Sequence, residues 1–387
     1  MKNQFLDTLF SNMKSLPFQV IYWDGNQVTY GQGEPRFTLK FKEKVSLMKW
    51  LQSPLMSFGE AYMNGVVDIE GKIEDVIELA SKNREIIWRN TPSILRKGIS
   101  LRKEKENVQH HYDVGNDFYS LWLDESMSYS CAYFHSVEDT LEQAQLQKID
   151  YVLKKLQLQP GETLLDIGSG WGWLIIRAAA KYGVKAKGIT LSEEQYKKSM
   201  ERIAEQGLQG QVEVELVDYR QLAARGDKFD KISIVGMFEH VGQQNFPVFM
   251  EAVQTLLREK GMALLHTITQ VKEVPTDPWI QKYIFPGGYI PSLREVVTLL
   301  PEYGFHTLDI ENLRSHYALT LDHWASRYES SLEKTRKMFD ERFIRMWRLY
   351  LQSSAASFRI GDLHLHQILF SNGINNDVSL TRDHLYR

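Results

Sequence analysis

The sequence predicts an α/β protein in which a doubly wound, seven-stranded sheet follows a small N-terminal α+β domain. Three observations carry that reading: a glycine-rich turn directly after an apolar strand, an alternation of strand and helix patterns beyond about residue 107, and an α+β pattern over roughly the first 90 residues.

In the N-terminal part, strands expected at 19–23 and 36–41 flank turn signals at Asp24-Gly25 and Gly31 to Gly33, and helices are expected at 46–63 and 73–82. The later part reads strand 163–167, helix, strand 184–190, helix from Glu193, strands 212–217 and 229–235, helix, then strand 262–269. Such alternation argues a parallel, doubly wound sheet. Strands near 307–312 and 364–370, following helices at 293–303 and 333–356, bring the count to seven. The expected division is an N-terminal lipid-associated domain at 1–90, a basic linker at 91–106 and a catalytic domain at 107–387.

With 387 residues and 43% hydrophobic content, the chain can bury sizeable cores. Cys131 is the single cysteine, which excludes an intramolecular disulfide and a multi-cysteine metal site, and no close-spaced ligand pair suggests any other metal. No charged leader precedes a long apolar core, and no run of about 18 apolar residues occurs, so a cytoplasmic protein is expected. The net charge of −3 gives no sign of a nucleic-acid partner, but it divides unevenly, +4 over residues 1–105 and −7 over the remainder. Lys82, Arg84, Arg89, Arg96, Lys97, Arg102, Lys103 and Lys105 are interleaved with isoleucine, leucine and Trp88, a mixture suited to an anionic lipid surface or to a solvated linker.

The glycine turn is LLDIGSGWGW at 164–173, where Gly168, Gly170 and Gly172 let the backbone turn and approach a ligand without Cβ interference. A dinucleotide site would need G-x-G-x-x-G and an acid about 20 residues on. Here the spacing is G-x-G-x-G, and the next strand leads into Thr190, Ser192 and Gln195. The combination resembles class I S-adenosylmethionine-dependent methyltransferases. Ligands of open sheets sit outside the carboxyl ends of the strands, where Asp166, Thr190, Asp218, Glu239 and His266 fall. Glu239 and His266 have apolar neighbours, so a charge on either needs a partner.

Six segments in order make the resemblance more specific: HHYDVGNDFYSLWLDESMSYSCAYF at 110–134, LDIGSGWG at 165–172, GITLSEEQ at 188–195, VGMFEHVG at 235–242, HTI at 266–268 and YIFPGGYIPS at 283–292. Together they resemble the cyclopropane-fatty-acyl-phospholipid synthases, and FGEAYMNGVVDIEG at 58–71 is similar to the N-terminal domain of the full-length bacterial enzymes. The resemblance implies that Tyr129, Ser130, Asp166, Gly168, Gly170, Gly172, Thr190, Gln195, Asp218 and Tyr219 contact S-adenosylmethionine. It also implies that Cys131, Glu239, His266, the Ile268 backbone and Tyr317 cradle a bicarbonate ion that serves as general base. Where relatives often carry a cysteine in a stretch like ACAGAFR, this chain reads SSAASFR with Ser354, which excludes a thiol nucleophile there.

The implied reaction forms cyclopropanes on cis-unsaturated phospholipid acyl chains, by a homodimer peripherally associated with the inner face of the membrane. Drawing about eight methylenes through water would cost roughly 6 kcal/mol, so such an enzyme must offer an apolar path from the bilayer. The aromatic-rich segment 278–290 is a candidate wall. A methyltransferase of the same family acting on another lipid or an amine, and a nonenzymatic lipid-binding protein, are the alternatives.

Overall fold

The computed structural model describes residues 4–88 and 115–386. They divide into two compact units. The first holds the described residues up to 88 together with Asp277–Ile284 and Leu321–Asp362; the second holds the remainder.

The first unit contains four short strands, β1 (Phe18–Ile21), β2 (Gln27–Tyr30), β3 (Thr38–Phe41) and β4 (Val67–Glu70), in the order β2-β1-β3-β4. β1 and β2 form a hairpin through Asp24-Gly25, where Gly25 takes φ +80° and the Asp24 carboxylate accepts from Asn26 N at 3.1 Å. Alternation along β1 places Phe18 and Val20 in an aromatic core with Phe10, Tyr30, Phe37 and Phe41. The anticipated helix over 46–63 is two helices, Leu47–Gln52 and Pro54–Met63. Proline supplies no N–H to continue a helix and disfavours helical backbone before it, so Ser53 is extended and Pro54 begins the second helix. The helix Glu341–Ile360 packs in this unit too, with Arg345 donating to Val67 O at 2.8 Å and to the Asp68 carboxylate at 2.9 Å. The helix expected at 333–356 is interrupted at Phe339 and Asp340, where Asp340 caps the second segment by accepting from Phe343 N at 2.8 Å.

The second unit is built on β5 (Thr163–Ile167), β6 (Lys185–Thr190), β7 (Val212–Leu216), β8 (Phe229–Val235), β9 (Leu257–Gln270), β10 (Phe305–Asn312) and β11 (Leu363–Asn372). Their order is β10-β11-β9-β8-β5-β6-β7. β5 to β9 pair in parallel, and β11 runs antiparallel between β9 and β10. This is the anticipated seven-stranded sheet. The chain proceeds outward from β5 through β6 to β7, then crosses back to β8 on the other side of β5, which makes the carboxyl ends of β5 and β8 the topological switch point.

Successive residues of β5 serve two cores on opposite faces of the sheet: Leu164 packs with Ile175, Ala186 and Leu264, whereas Leu165 and Ile167 pack with Ile232, Ile234 and Leu265. The helix Leu141–Lys155, which sequence periodicity did not reveal, also belongs to this unit, as do the first residues, 314–320, of the equally unanticipated helix Arg314–Ser330. Among the described residues, no helix is long and apolar enough to cross a membrane.

Leu264 is fully buried on a central strand. Leu264→Ala is expected to lower unfolding stability by about 2–5 kcal/mol through the cavity it leaves, measured by denaturant titration. A loss under about 1 kcal/mol would contradict this packing.

Candidate functional site

The site begins where β5 ends. Gly168 N and Ser169 N both donate to Ile189 O, at 3.0 and 2.9 Å, so the turn is stitched to β6 before the helix Trp173–Tyr182 starts. Gly168 and Gly172 are constrained by packing. A Cβ on Gly168 would meet the Met237 side chain at 2.9 Å, and one on Gly172 would meet Ser199 Oγ at 2.9 Å. Gly170 differs: it lines the adjoining pocket, has φ +54° and has no protein atom within 4 Å of the Cβ position.

That pocket is lined by Tyr129, Ser130, Asp166, Gly168, Gly170, Thr190, Gln195, Asp218 and Tyr219, nine of the ten positions anticipated for the cofactor. Gly172 is not a lining residue; it lets the turn approach Ser199 on the helix Glu193–Glu205. Asp166 is buried and its Oδ1 accepts from Ser233 Oγ at 2.7 Å; burial pushes its carboxyl up to about 6, against the pull of Ser233 and Lys148. Thr190 Oγ1 and Gln195 Oε1 are hydrogen-bonded at 2.8 Å. Asp218 is held bidentately by Arg220, at 2.8 Å to each oxygen, and caps the helix Tyr219–Ala224.

Sequence reasoning missed the groups that hold residues 126–130 against this pocket. Asp124 accepts from Ser126 N and Ser128 N at 2.9 and 3.0 Å. Gln145 donates to Ser128 O and Ser130 O at 3.2 and 2.9 Å, and Arg202 donates to Ser126 O at 3.0 Å. Lys148, 3% exposed, lines the pocket and donates to Ser130 Oγ at 2.8 Å.

A second cluster lies at the ends of β8 and β9. Glu239 sits in the turn Phe238–His240 after β8, and its Oε1 accepts from Ile268 N at 2.6 Å. Its other oxygen, Oε2, is shut off from solvent and has no hydrogen-bond partner among the described residues. Burial pushes the Glu239 carboxyl up to about 7, with Ile268 N and the Thr267 side chain acting in the opposite direction. His266 is fully buried; its Nδ1 lies 3.2 Å from Gln367 Nε2, and its Nε2 has no hydrogen-bond partner among the described residues. Burial holds the imidazole well below its usual range, and the charges of Lys148 and Lys155 add to that, so His266 is neutral. With Gln367 Nε2 donating to Nδ1, the proton resides on Nε2, which becomes an unused donor.

Ile268 acts through Glu239, because its N–H is already occupied. Cys131 approaches from another side: its Sγ is 3.9 Å from Leu313 O, and Leu313 O also accepts from Tyr317 N at 3.2 Å. Leu313 N donates to Leu365 O at 2.8 Å, and Leu365 is the register partner of Ile268, so the backbone next to Cys131 is linked to β9 through β11. Burial pushes the Cys131 thiol up, leaving it protonated and unreactive near neutrality. In the segment 278–290, Pro278–Tyr283 is helical and residues 285–290 close on the Glu239 turn, with Tyr289 N donating to Glu239 O at 2.9 Å.

A switch-point pocket over a G-x-G-x-G turn defines a class I methyltransferase site. Residues 99–368 match the family Mycolic acid cyclopropane synthetase, and residues 5–92 match a Domain of unknown function (DUF7884). The chain is 42% identical to the cyclopropane-fatty-acyl-phospholipid synthase of Escherichia coli (strain K12), over 89% of this chain and 90% of that protein. It is 38% identical to a probable fatty acid methyltransferase of Pseudomonas putida, over 96% and 97%. The crystal structure of mycolic acid cyclopropane synthase CmaA1 complexed with SAH and CTAB superposes with TM-score 0.65 at 35% identity, covering 69% of this chain and 98% of that one. The chain belongs to the mycolic acid cyclopropane synthetase family and is an S-adenosylmethionine-dependent methyltransferase.

Gly170→Val is expected to abolish detectable S-adenosylmethionine binding by calorimetry while circular dichroism shows a folded protein, since the added side chain enters the pocket. Unchanged affinity in a folded variant would place the cofactor elsewhere.

Proposed function

We propose that this enzyme transfers a methylene group from S-adenosylmethionine to the cis double bond of an unsaturated phospholipid acyl chain, forming a cyclopropane. The observation that carries the reading is that two buried polar atoms at the ends of β8 and β9, Glu239 Oε2 and His266 Nε2, have no hydrogen-bond partner among the described residues. The names of the E. coli relative and of the mycolic acid cyclopropane synthase CmaA1 support it.

The π electrons of the double bond attack the methyl carbon, the carbon–sulfur bond breaks, and its electron pair stays on the departing sulfide. The acyl chain is left as a carbocation. Loss of a proton from the delivered methyl releases the electron pair that closes the ring. This second step needs an acceptor in an apolar site.

Glu239 and His266 fit a small anion. A neutral His266 presents an N–H donor, and a Glu239 with its carboxyl near 7 can present an O–H donor from Oε2 while Oε1 is held by Ile268 N. Cys131 and Tyr317 would complete the cradle from the Leu313 side. Bicarbonate, when bound there, supplies the proton acceptor. The protein's own contribution is to orient that acceptor and exclude water, as the burial of Cys131 and His266 indicates. The protonated, buried thiol argues against Cys131 as a nucleophile.

The reading is tested by supplying unsaturated phospholipid vesicles and S-adenosylmethionine with or without bicarbonate: cyclopropane formation should rise on replenishment, and indifference to bicarbonate would contradict the anion cradle. Glu239→Gln should keep cofactor affinity yet lose about a hundredfold or more in turnover; near-normal turnover would remove Glu239 from the mechanism.

The same shift sets a pH dependence of stability. Folding raises Glu239 from 4.5 to about 7, so protonation favours the folded state. That stabilisation is fully present below 4.5 and is lost as pH rises through about 7. The melting temperature of wild type should therefore fall more than that of Glu239→Gln between about pH 5 and 8; parallel curves would contradict the shift.

Cys131→Ser retains a donor and should cost no more than about a hundredfold in turnover, since a hydrogen bond to a charged group contributes about 1.5–3 kcal/mol. Near-total loss with normal cofactor binding, together with a substrate-derived adduct on Cys131 of wild type, would instead indicate covalent catalysis.

A further inference from the structure

Lys148 is the only lysine or arginine lining the cofactor pocket among the described residues. It sits on the helix Leu141–Lys155, 3% exposed, and its one hydrogen bond goes to Ser130 Oγ at 2.8 Å. An ammonium group only donates, so Ser130 Oγ accepts. The Ser130 hydroxyl proton must then point elsewhere, and no acceptor for it is found among the described residues. Ser130 itself is 8% exposed and lines the same pocket. The pair presents one buried positive charge and one fixed hydroxyl donor toward the space beside the glycine turn.

S-adenosylmethionine carries a single anionic group, the α-carboxylate of its methionine end. We propose that Lys148 is a positioning residue that, through Ser130, recognises this carboxylate: its charge attracts the group and its hydrogen bond sets the Ser130 hydroxyl as a donor into the pocket. The inference rests on S-adenosylmethionine occupying this pocket.

The surroundings of Lys148 fit that role. Burial opposes its charged form, while Asp124 on the preceding loop and Asp166 at the end of β5 favour it. The net effect lowers the ammonium to about 8. His266, on β9, is neutral and feels the same charge. Deprotonation above about 8 would remove the attraction for a carboxylate, so affinity for the cofactor falls as pH rises through that value.

The test compares binding of S-adenosylmethionine with that of decarboxylated S-adenosylmethionine, which keeps the sulfonium, ribose and adenine. Lys148→Met should weaken S-adenosylmethionine by about 10- to 100-fold and the decarboxylated analogue by less than about threefold, and Lys148→Arg should restore the preference. Equal weakening of both ligands would show a merely structural role and overturn the proposal. So would unchanged S-adenosylmethionine binding accompanied by a lost response to bicarbonate, which would assign the charge to the small anion. Wild type provides an arm that needs no variant: its preference for the carboxylate-bearing ligand should decline as pH rises through about 8, and a flat ratio would overturn the proposal. Failure of wild type to bind either ligand would instead refute the cofactor assignment itself.

Discussion

Desolvation at the carboxyl ends of β5, β8 and β9 governs the site. These strands are apolar and covered on both faces, so each ionisable group placed there is either partnered or driven toward its neutral form. Asp166 is answered by Ser233 Oγ, and Glu239 is answered on one oxygen only, by Ile268 N. His266 is answered on one ring nitrogen only. Glu239 Oε2 and His266 Nε2 have no hydrogen-bond partner among the described residues, and the proposed anion would answer both.

The fold brings the two halves of this chemistry together by strand order. Because β8 lies next to β5, the turn bearing Glu239 follows the strand beside the glycine turn, and Met237 closes against Gly168. β9 then carries His266 and Ile268 beside β8, in register with Val235, and β11 ties Leu313 and the Cys131 side to the same edge. No single segment holds the site. The pocket and the Glu239 turn draw on residues from Ser126 to Ile268, which become neighbours only through the parallel crossovers of the sheet.

Much of this was legible in the sequence because it is periodic. Central strands such as β5 and β8 are continuous apolar runs bounded by glycine or charge, and the turn between Asp166 and Gly172 has its own spacing. The edge strands β2 and β4 escaped because each is four residues long with exposed or half-exposed positions. The helix Leu141–Lys155 carries a capping box, Thr140 with Gln143, that was available as a signal. Lys148 on that helix was not: a lysine in a polar helical stretch reads as a solvated charge, and only the tertiary packing shows it buried beside Ser130. Gln145 and Arg202 escaped for the same reason. The basic segment between residues 89 and 105 lies outside the described residues, and its membrane role stays a proposal drawn from composition.

The central claim is that methyl transfer is followed by proton removal and ring closure on an acyl chain. The most direct measurement supplies S-adenosylmethionine with a trideuterated methyl group to unsaturated phospholipid vesicles and analyses the acyl chains by mass spectrometry. The account predicts a cyclopropane that retains two of the three deuterium atoms, the third having left during ring closure. A methyl-branched chain retaining all three, or label confined to the head group, would contradict it.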